Sequence, residues 1–466
     1  MAQSSIIVRN PLPFMLEPYM KKKVLLGKYS SGKLYPILLD GFLNKHIISF
    51  EKEELVESFI NDYNGKSFDD KLDHQLKIEK NEKAIEDIQK EVDENKTKEE
   101  PYNFQIQYEY DWKNDYVNSP EKSGLLYINE KAKNKIYKTI QFLLTKFGKN
   151  LFEGKSIINI SFPIILYDQR TYLQLMAYEM RTLPLFVTRA CFSKDKLEKL
   201  KWIVVHLISA LHISILQTQL FKPVLGETFQ CKIGDLIVYL ENTKSEPLIN
   251  NFYGFDENKN YKIYGYQISD IFIRPNSMLA TKVGKYYIEL KDGTKYLLRF
   301  PNVTLKGISM GDRLFNYADK VVVLDLTNNL CAYIEMNPEE VGFFKSFFTK
   351  KNTFPDFFKG QIVDASFVTV DEKGWNHTLK KGAQSLCKIE GEWTSSIRFD
   401  DEEYWDIENY KLIQMYHYGH MLPSDSSLRL DLISLINDDP EKSQVEKEKN
   451  EENEEKDKEL RKKYNK

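Results

Sequence analysis

The sequence predicts a mainly β protein with helices, an α+β chain whose strands form a near-closed antiparallel β-barrel. Three observations carry this. Tight turns flanked by β-rich runs recur through the second half of the chain. So many short strands need their edges protected, which closure achieves. Helical patterns gather ahead of Pro223, and a densely charged tail follows the strands.

Residues 1–133 read as a divergent N-terminal region with a charged linker or helix. Within it, Leu76 to Lys98 places Ile78, Ile85, Ile88 and Val92 at heptad-like spacing. That is about two turns, fewer than the three or four that argue a coiled coil. From Lys135 to Leu151, Ile136, Ile140, Leu143, Leu144 and Phe147 mark one face of an amphipathic helix. Residues 171–221 are largely helical in pattern.

After Pro223 the period changes. "GKYYIELKDGTKYLLRF" (284–300) sets two β-rich runs around Asp292-Gly293, and "KVVVLDLTNNLCAYIEM" (320–336) repeats this around Asn328-Asn329. "YKIYGYQISDIFI" and "QIVDASFVTV" add strands, while "ENTKSEP" (241–247) reads as a polar turn after one. In residues 437–466, 20 of 30 side chains are charged, 11 acidic and 9 basic. Such a tail is either disordered or a polar helix laced by i,i+4 pairs.

Composition narrows the function. The 66 basic and 69 acidic side chains leave a net charge of −3, without the basic excess that nucleic-acid binding needs. Cys191, Cys231, Cys331 and Cys387 lie far apart with no CxxC pair, which predicts neither a zinc site nor a disulfide framework, and a reducing compartment. The N-terminus lacks a charged start followed by an apolar block, so no signal peptide is expected. The greasiest segment, Trp202 to Leu216, has 15 residues, against roughly 20 for a membrane span. Together these predict a cytoplasmic protein, peripheral at membranes.

No catalytic constellation emerges. Gly307-Ile308-Ser309-Met310-Gly311 matches the GxSxG pattern of an esterase, but that motif needs a helix directly after it, and strand-like residues resume at Val321. His206 and His212, six apart, cannot share a metal on one helix. His417 and His420 lack a carboxylate or cysteine at ligand spacing. The expectation is a non-enzyme with no metal and no cofactor.

One stretch is distinctive: "FKPVLGETF" (221–229) resembles the KPFNPxLGETF fingerprint of the oxysterol-binding protein family. "FGKNL" with "SIINISFPI" (147–164) looks like the family's opening segment, and "LPSDSSLRLDLISL" (422–435) is similar to its "LPPTDSRLRPD" block. The resemblance implies a lipid-binding domain over residues 134–466, with one lipid in an apolar tunnel under an N-terminal lid. The lid role would fall to the segment near 135–151. Enclosing roughly 400 Å² of sterol-like surface at about 25 cal/mol/Å² yields on the order of 10 kcal/mol, enough to compete with a bilayer. Pro223, Leu225, Gly226, Glu227 and Thr228 take a structural role, shaping the turn between helices and barrel.

The resemblance also implies a phosphate grip, and here the sequence departs from it. An ungapped alignment puts Gln219 at the fingerprint's lysine and Lys222 at its asparagine. The family's EQVSHHPP signature falls on "ENTKSEPL", where Ser245 and Glu246 replace the histidines. The tail stripe K-x-x-x-E-x-x-x-R becomes Lys447, Glu451 and Glu455, so Lys447 and Glu451 remain as headgroup contacts and the arginine is lost. The expected function is binding, with transfer between membranes, of a sterol or other apolar lipid. Ligand and membrane surfaces are the partners, and phosphatidylinositol 4-phosphate is doubtful. The alternative is a retained fold serving as a non-transferring scaffold.

Overall fold

The computed structural model describes residues 5–8, 25–28, 34–39, 45–49, 112–119, 124–148, 156–215, 219–308, 310–338, 356–419 and 421–464. The Leu76–Lys98 stretch, Ser309 and His420 lie outside them. The chain divides into two compact units, one of Met1–Phe104, His417–Asp425 and Glu448–Lys466, the other of Gln105–Tyr416 and Ser426–Lys447.

In the first unit, β1 (Ser5–Val8), β2 (Leu25–Lys28), β3 (Leu34–Leu39) and β4 (Lys45–Ser49) form an antiparallel sheet in the order β1-β4-β3-β2. The weak patterning of this region did not announce them.

The second unit opens with β5 (Tyr116–Asn118) and β6 (Leu125–Tyr127), then helix α1 (Glu130–Phe147). The parallel pair β7 (Tyr167–Thr171) and β8 (Gln219–Phe221) brackets three helices. In α2 (Tyr172–Glu179), Thr171 and Gln174 cap each other reciprocally: the Thr171 hydroxyl accepts from the Gln174 N–H at 3.2 Å, and the Gln174 side chain accepts from the Thr171 N–H at 2.9 Å. Next come α3 (Leu183–Phe192), with Pro184 in its first turn, and α4 (Lys196–Ser209), capped by Asp195. The apolar run from Trp202 thus ends as a core helix. Leu200, Ile203, Val204, Val205, Leu207 and Ile208 are all buried, so α4 is apolar almost all round.

The strands that follow are β9 (Thr228–Ile233), β10 (Leu236–Ser245), β11 (Leu248–Asp256), β12 (Tyr261–Arg274), β13 (Ser277–Leu290), β14 (Lys295–Arg299) and β15 (Asn302–Lys306). They continue as β16 (Leu314–Ala318), β17 (Lys320–Asp325), β18 (Leu330–Met336), β19 (Phe357–Asp364), β20 (Val368–Val370) and β21 (His377–Leu379). Last are β22 (Cys387–Glu392), β23 (Ser396–Phe399), β24 (Glu402–Asp406) and β25 (Met415–His417). Helices α5 (Leu430–Ile436) and α6 (Pro440–Tyr464) close the chain.

One large, mostly antiparallel sheet results. Strands β10 to β19 follow in sequence order, then β22, β23, β24, β25, β5, β6 and β9. Both predicted hairpins form. Gly293 takes φ 85° between β13 and β14, and Asn329 takes φ 57° between β17 and β18, backbone states these residues tolerate best. Strands β5 and β6 lie ahead of residue 134 yet join this sheet, β6 pairing with β16 through Leu126 and Leu314. Gly284 (φ 145°) lets β12 and β13 approach, since a Cβ there would meet the Tyr266 carbonyl oxygen at 2.1 Å.

One expectation changes and one open alternative is resolved. "ENTKSEP" is not a turn after a strand: β10 runs through Ser245, and only Glu246 and Pro247 make the turn to β11. The charged tail, open between disorder and helix, is helical in α6, with a Lys458–Glu455 pair at 2.6 Å and a longer Lys456–Glu452 contact at 3.9 Å.

Candidate functional site

Helix α1 lays an apolar edge over the second unit. Ile136, Ile140 and Leu143 are buried, while Tyr137 and Leu144 face solvent. Beneath it lies a cavity of about 190 Å³, lined mostly by apolar side chains. Ile136, Thr139 and Ile140 of α1 form one side; Leu175 of α2, Met278 and Ala280 of β13, and Val303 and Leu305 of β15 form others. The strand alternation explains the β13 pair, since residues two apart share a sheet face.

The next residue on that face is Lys282. Its ammonium pairs with the buried Glu179 carboxylate, which also accepts from the Ser214 hydroxyl. Burial works against the Lys282 charge, but Glu179 outweighs it and holds the amine above its ordinary value. Close by, the Tyr172 hydroxyl shares a 2.5 Å hydrogen bond with Ser269 and accepts from Gln267 Nε2 at 2.5 Å. Burial raises the Tyr172 phenol, so it stays protonated. Sequence reasoning missed this polar cluster. Its one legible signal was a lysine in the inward register of a strand that otherwise places Met278 and Ala280 there.

The fingerprint lies at a turn held by a set of hydrogen bonds. Pro223 is buried and Leu225 half-buried, and Gly226 turns the chain with φ 86°. The Gly226 N–H donates to the Asn242 carbonyl at 2.9 Å, and Asn242 N–H returns a bond to Glu227 at 2.9 Å. Thr228 starts β9 opposite Glu241. The Glu227 carboxylate accepts from Val224 N–H at 3.0 Å and from Arg429 Nη1 at 2.7 Å. Arg429 also holds Asp431 through two hydrogen bonds, at 3.0 and 2.7 Å, and donates to the Lys222 carbonyl at 2.8 Å. Burial pushes the Glu227 carboxyl up to about 7 against the pull of Arg429. Burial likewise opposes the Arg429 charge, yet Glu227 and Asp431 overcome it and hold the guanidinium above its ordinary value. The fingerprint and the LRLD block, both quoted for the resemblance, therefore meet in one buried ion cluster.

Within "ENTKSEP", Asn242 is fully buried and its amide donates to Asn250 Oδ1 at 2.9 Å and to the Lys244 and Ile249 carbonyls at 3.2 Å. A bulge lies between Asn242 and Lys244. Ser245 is buried, whereas Lys244 and Glu246 are exposed. Gln219 and Lys222 both line the large cavity.

In the tail, Lys447 is buried and donates to Ser161 Oγ at 2.6 Å, with its ammonium 5.5 Å from the Tyr167 ring. Glu451 is half-buried one turn on, and the exposed Glu455 pairs with Lys458 at 2.6 Å.

The histidines have structural surroundings. His206 Nδ1 bonds to Thr182 Oγ1 at 2.7 Å, and burial lowers the ring to about 3. His212 stacks on Trp405, its ring lowered by burial to about 4. No cluster of metal-ligating side chains occurs among the described residues. The GxSxG stretch lies between β15 and β16, with no helix after it.

A β-rich domain built around a largely apolar cavity with a few converging polar groups has the form of a small-molecule binding fold. The oxysterol-binding protein family profile matches residues 144–466, and the chain belongs to that family. Oxysterol-binding protein 9 of Dictyostelium discoideum is 30% identical over 299 residues, covering 62% of this chain and 68% of that protein. The fold is similar to the Osh3 ORD of Saccharomyces cerevisiae solved with PI(4)P, with a TM-score of 0.51, 18% identity and coverage of 66% of this chain and 81% of that one. It is also similar to the Osh1 ORD solved with cholesterol, with a TM-score of 0.52, 14% identity and coverage of 74% and 83%. No helix among the described residues is long and apolar enough to cross a membrane.

Proposed function

We propose that this chain binds a sterol or another mostly apolar lipid in the cavity beneath α1 and carries it between membranes, without enzymatic chemistry. The observation behind this is the apolar lining from α1, α2, β13 and β15, in a member of a family whose Osh1 relative was solved with cholesterol. The large sheet acts as a near-closed barrel; its continuous strand order, with β9 and β10 also paired, supports this. Helix α1 acts as the lid, because its apolar side lines the cavity while Tyr137 and Leu144 stay in water. Residues 134–466 form the lipid-binding domain, with β5 and β6 added from the N-terminal side. The protein works in the cytoplasm, peripheral at membranes.

The fingerprint residues Pro223, Leu225, Gly226, Glu227 and Thr228 serve the fold, and Lys447 and Glu451 serve as headgroup contacts. Phosphatidylinositol 4-phosphate is not held in the manner the family signature implies, because Ser245 and Glu246 stand where its histidines would.

The test is uptake of dehydroergosterol by purified protein, with lipid analysis of an organic extract. Stoichiometric lipid and saturable uptake, followed by delivery from donor to acceptor liposomes, are expected. An empty extract together with absent uptake sinks the carrier reading and leaves the fold as a scaffold.

A further inference from the structure

The wall of the large sheet is interrupted beside β13. Its ladder with β14 covers Tyr286 to Glu289, and its ladder with β15 covers Ser277 to Ala280. Residues 281–285 therefore have no ladder partner on that edge. A second cavity, of about 50 Å³, fills the gap and is bordered by Trp375 and His377 from the end of the β20–β21 hairpin. One water needs roughly 10–15 Å³ on this measure, so the space suits about three to five water-sized groups, the bulk of a phosphate.

Its charge is one-sided. Lys282, Lys285 and Arg299 line it, and no carboxylate does. Lys282 and Arg299 are paired, with Glu179 and Asp319 respectively. Lys285 is exposed, with no ion-pair partner among the described residues. One residue lining this space carries an unmatched buried polar atom: His377 is 3% exposed and its Nδ1 has no hydrogen-bond partner. Native folds rarely leave such groups unfilled, and a recurrent reason is an absent ligand or ion. The Phe252 and Phe300 rings flank Tyr286, at 4.5 and 5.5 Å.

We propose that this gap is a second binding site, separate from the large cavity, for a small phosphate-bearing anion. Lys285 and Arg299 supply the positive field, while the His377 Nδ1–H donates to the anion's oxygens. The unladdered edge of β13 offers its backbone to the same occupant. The aromatic rings accommodate whatever carbon the phosphate carries. Lys282 borders both cavities, so the two occupants share one ammonium.

The phosphate is either free or the headgroup of a lipid, and calorimetric titration of the full chain separates the two. One arm uses inorganic phosphate, the other water-soluble dihexanoyl phosphatidic acid. One equivalent of saturable binding is expected, weakened at least tenfold in both Lys285→Gln and His377→Phe and unchanged in Lys359→Gln, at an exposed lysine of β19 that lines neither cavity. Binding of inorganic phosphate assigns a free anion; binding of the phosphatidic acid alone assigns a headgroup. Saturation by neither probe overturns the proposal, as does an affinity that Lys285→Gln leaves unchanged, since that exposed substitution keeps the fold. Dehydroergosterol uptake is read on the same samples and should be unaffected by Lys285→Gln. Failure of the native chain to take up sterol would sink the carrier reading while leaving the anion titration to stand or fall alone.

Discussion

Removing the Arg429 guanidinium would leave Glu227 and Asp431 buried without the cation that bridges them. Breaking a buried ion pair from one side costs about 3–5 kcal/mol, because the stranded charge cannot regain its water. Arg429→Ala should therefore lower the unfolding free energy obtained from urea titration by an amount of that order, whereas Arg398→Ala, at an exposed and longer contact, should barely move it. A second residue-scale prediction concerns acid. His206 and His212 are lowered by burial to about 3 and about 4, against an ordinary value near 6.5. The unfolded chain then binds more protons than the folded one below pH 6.5. Their contribution is full above that pH and is lost as pH falls toward 4 and then 3. Stability should decline by several kcal/mol across this window, and His206→Asn should flatten the slope measured by denaturant titrations at stepped pH. Both members of the Glu227–Arg429 pair stood in quoted blocks, but their partnership was invisible: they lie 202 residues apart, and no local pattern encodes a contact at that distance.

At the scale of elements, legibility followed the strength of local signals. The Asp292-Gly293 and Asn328-Asn329 turns were readable because few residues accept the backbone states a tight hairpin imposes. The polar end of β10 was not, since Asn242 there and Asn250 and Asn251 in β11 look like turn formers. Their strand state is secured across the ladder, by Asn242 donating to Asn250 and by Asn251 Nδ2 donating to Thr243 at 2.5 Å. Helix α1 was legible by its period, but which face it covers depends on strands that arrive more than a hundred residues later. The lid role proposed for it yields a prediction. Ile140→Asp would put a carboxylate on the cavity side of α1, where an unpaired charge is strongly disfavoured. Dehydroergosterol should then dissociate at least about tenfold faster, roughly 1.4 kcal/mol at the 25 °C conversion. Far-ultraviolet circular dichroism should be unchanged. An unaltered off-rate would mean that α1 packs on the domain without gating it.

For the whole molecule, the large antiparallel sheet with helices was legible while the cavity's chemistry was not, because the polar cluster of Glu179, Lys282, Tyr172 and Ser269 assembles from α2, β13 and β12. The phosphate question joins the same scales. Ser245 ends β10 as a buried residue and Glu246 is exposed in the turn that follows, on a strand whose middle is tied to the fingerprint through Thr228 and Glu241. Moving this loop to recruit other donors would disturb that register, so its chemistry is set by the side chains it carries. Each charge-assisted hydrogen bond missing from a phosphate grip loses about 1.5–3 kcal/mol. A carboxylate placed about 4 Å from a phosphate charge repels it by about 4 kcal/mol at an effective dielectric of about 20. The native chain should therefore extract little phosphatidylinositol 4-phosphate from liposomes. Glu246→His, an exposed change, should raise extraction, and adding Ser245→His should raise it further while sterol uptake stays at its native level. Extraction by the native chain as strong as that of the double variant would show that Lys222, Lys244 and Lys447 grip the headgroup without histidines, and that the loss of the signature pair changed the means of phosphate binding rather than its occurrence.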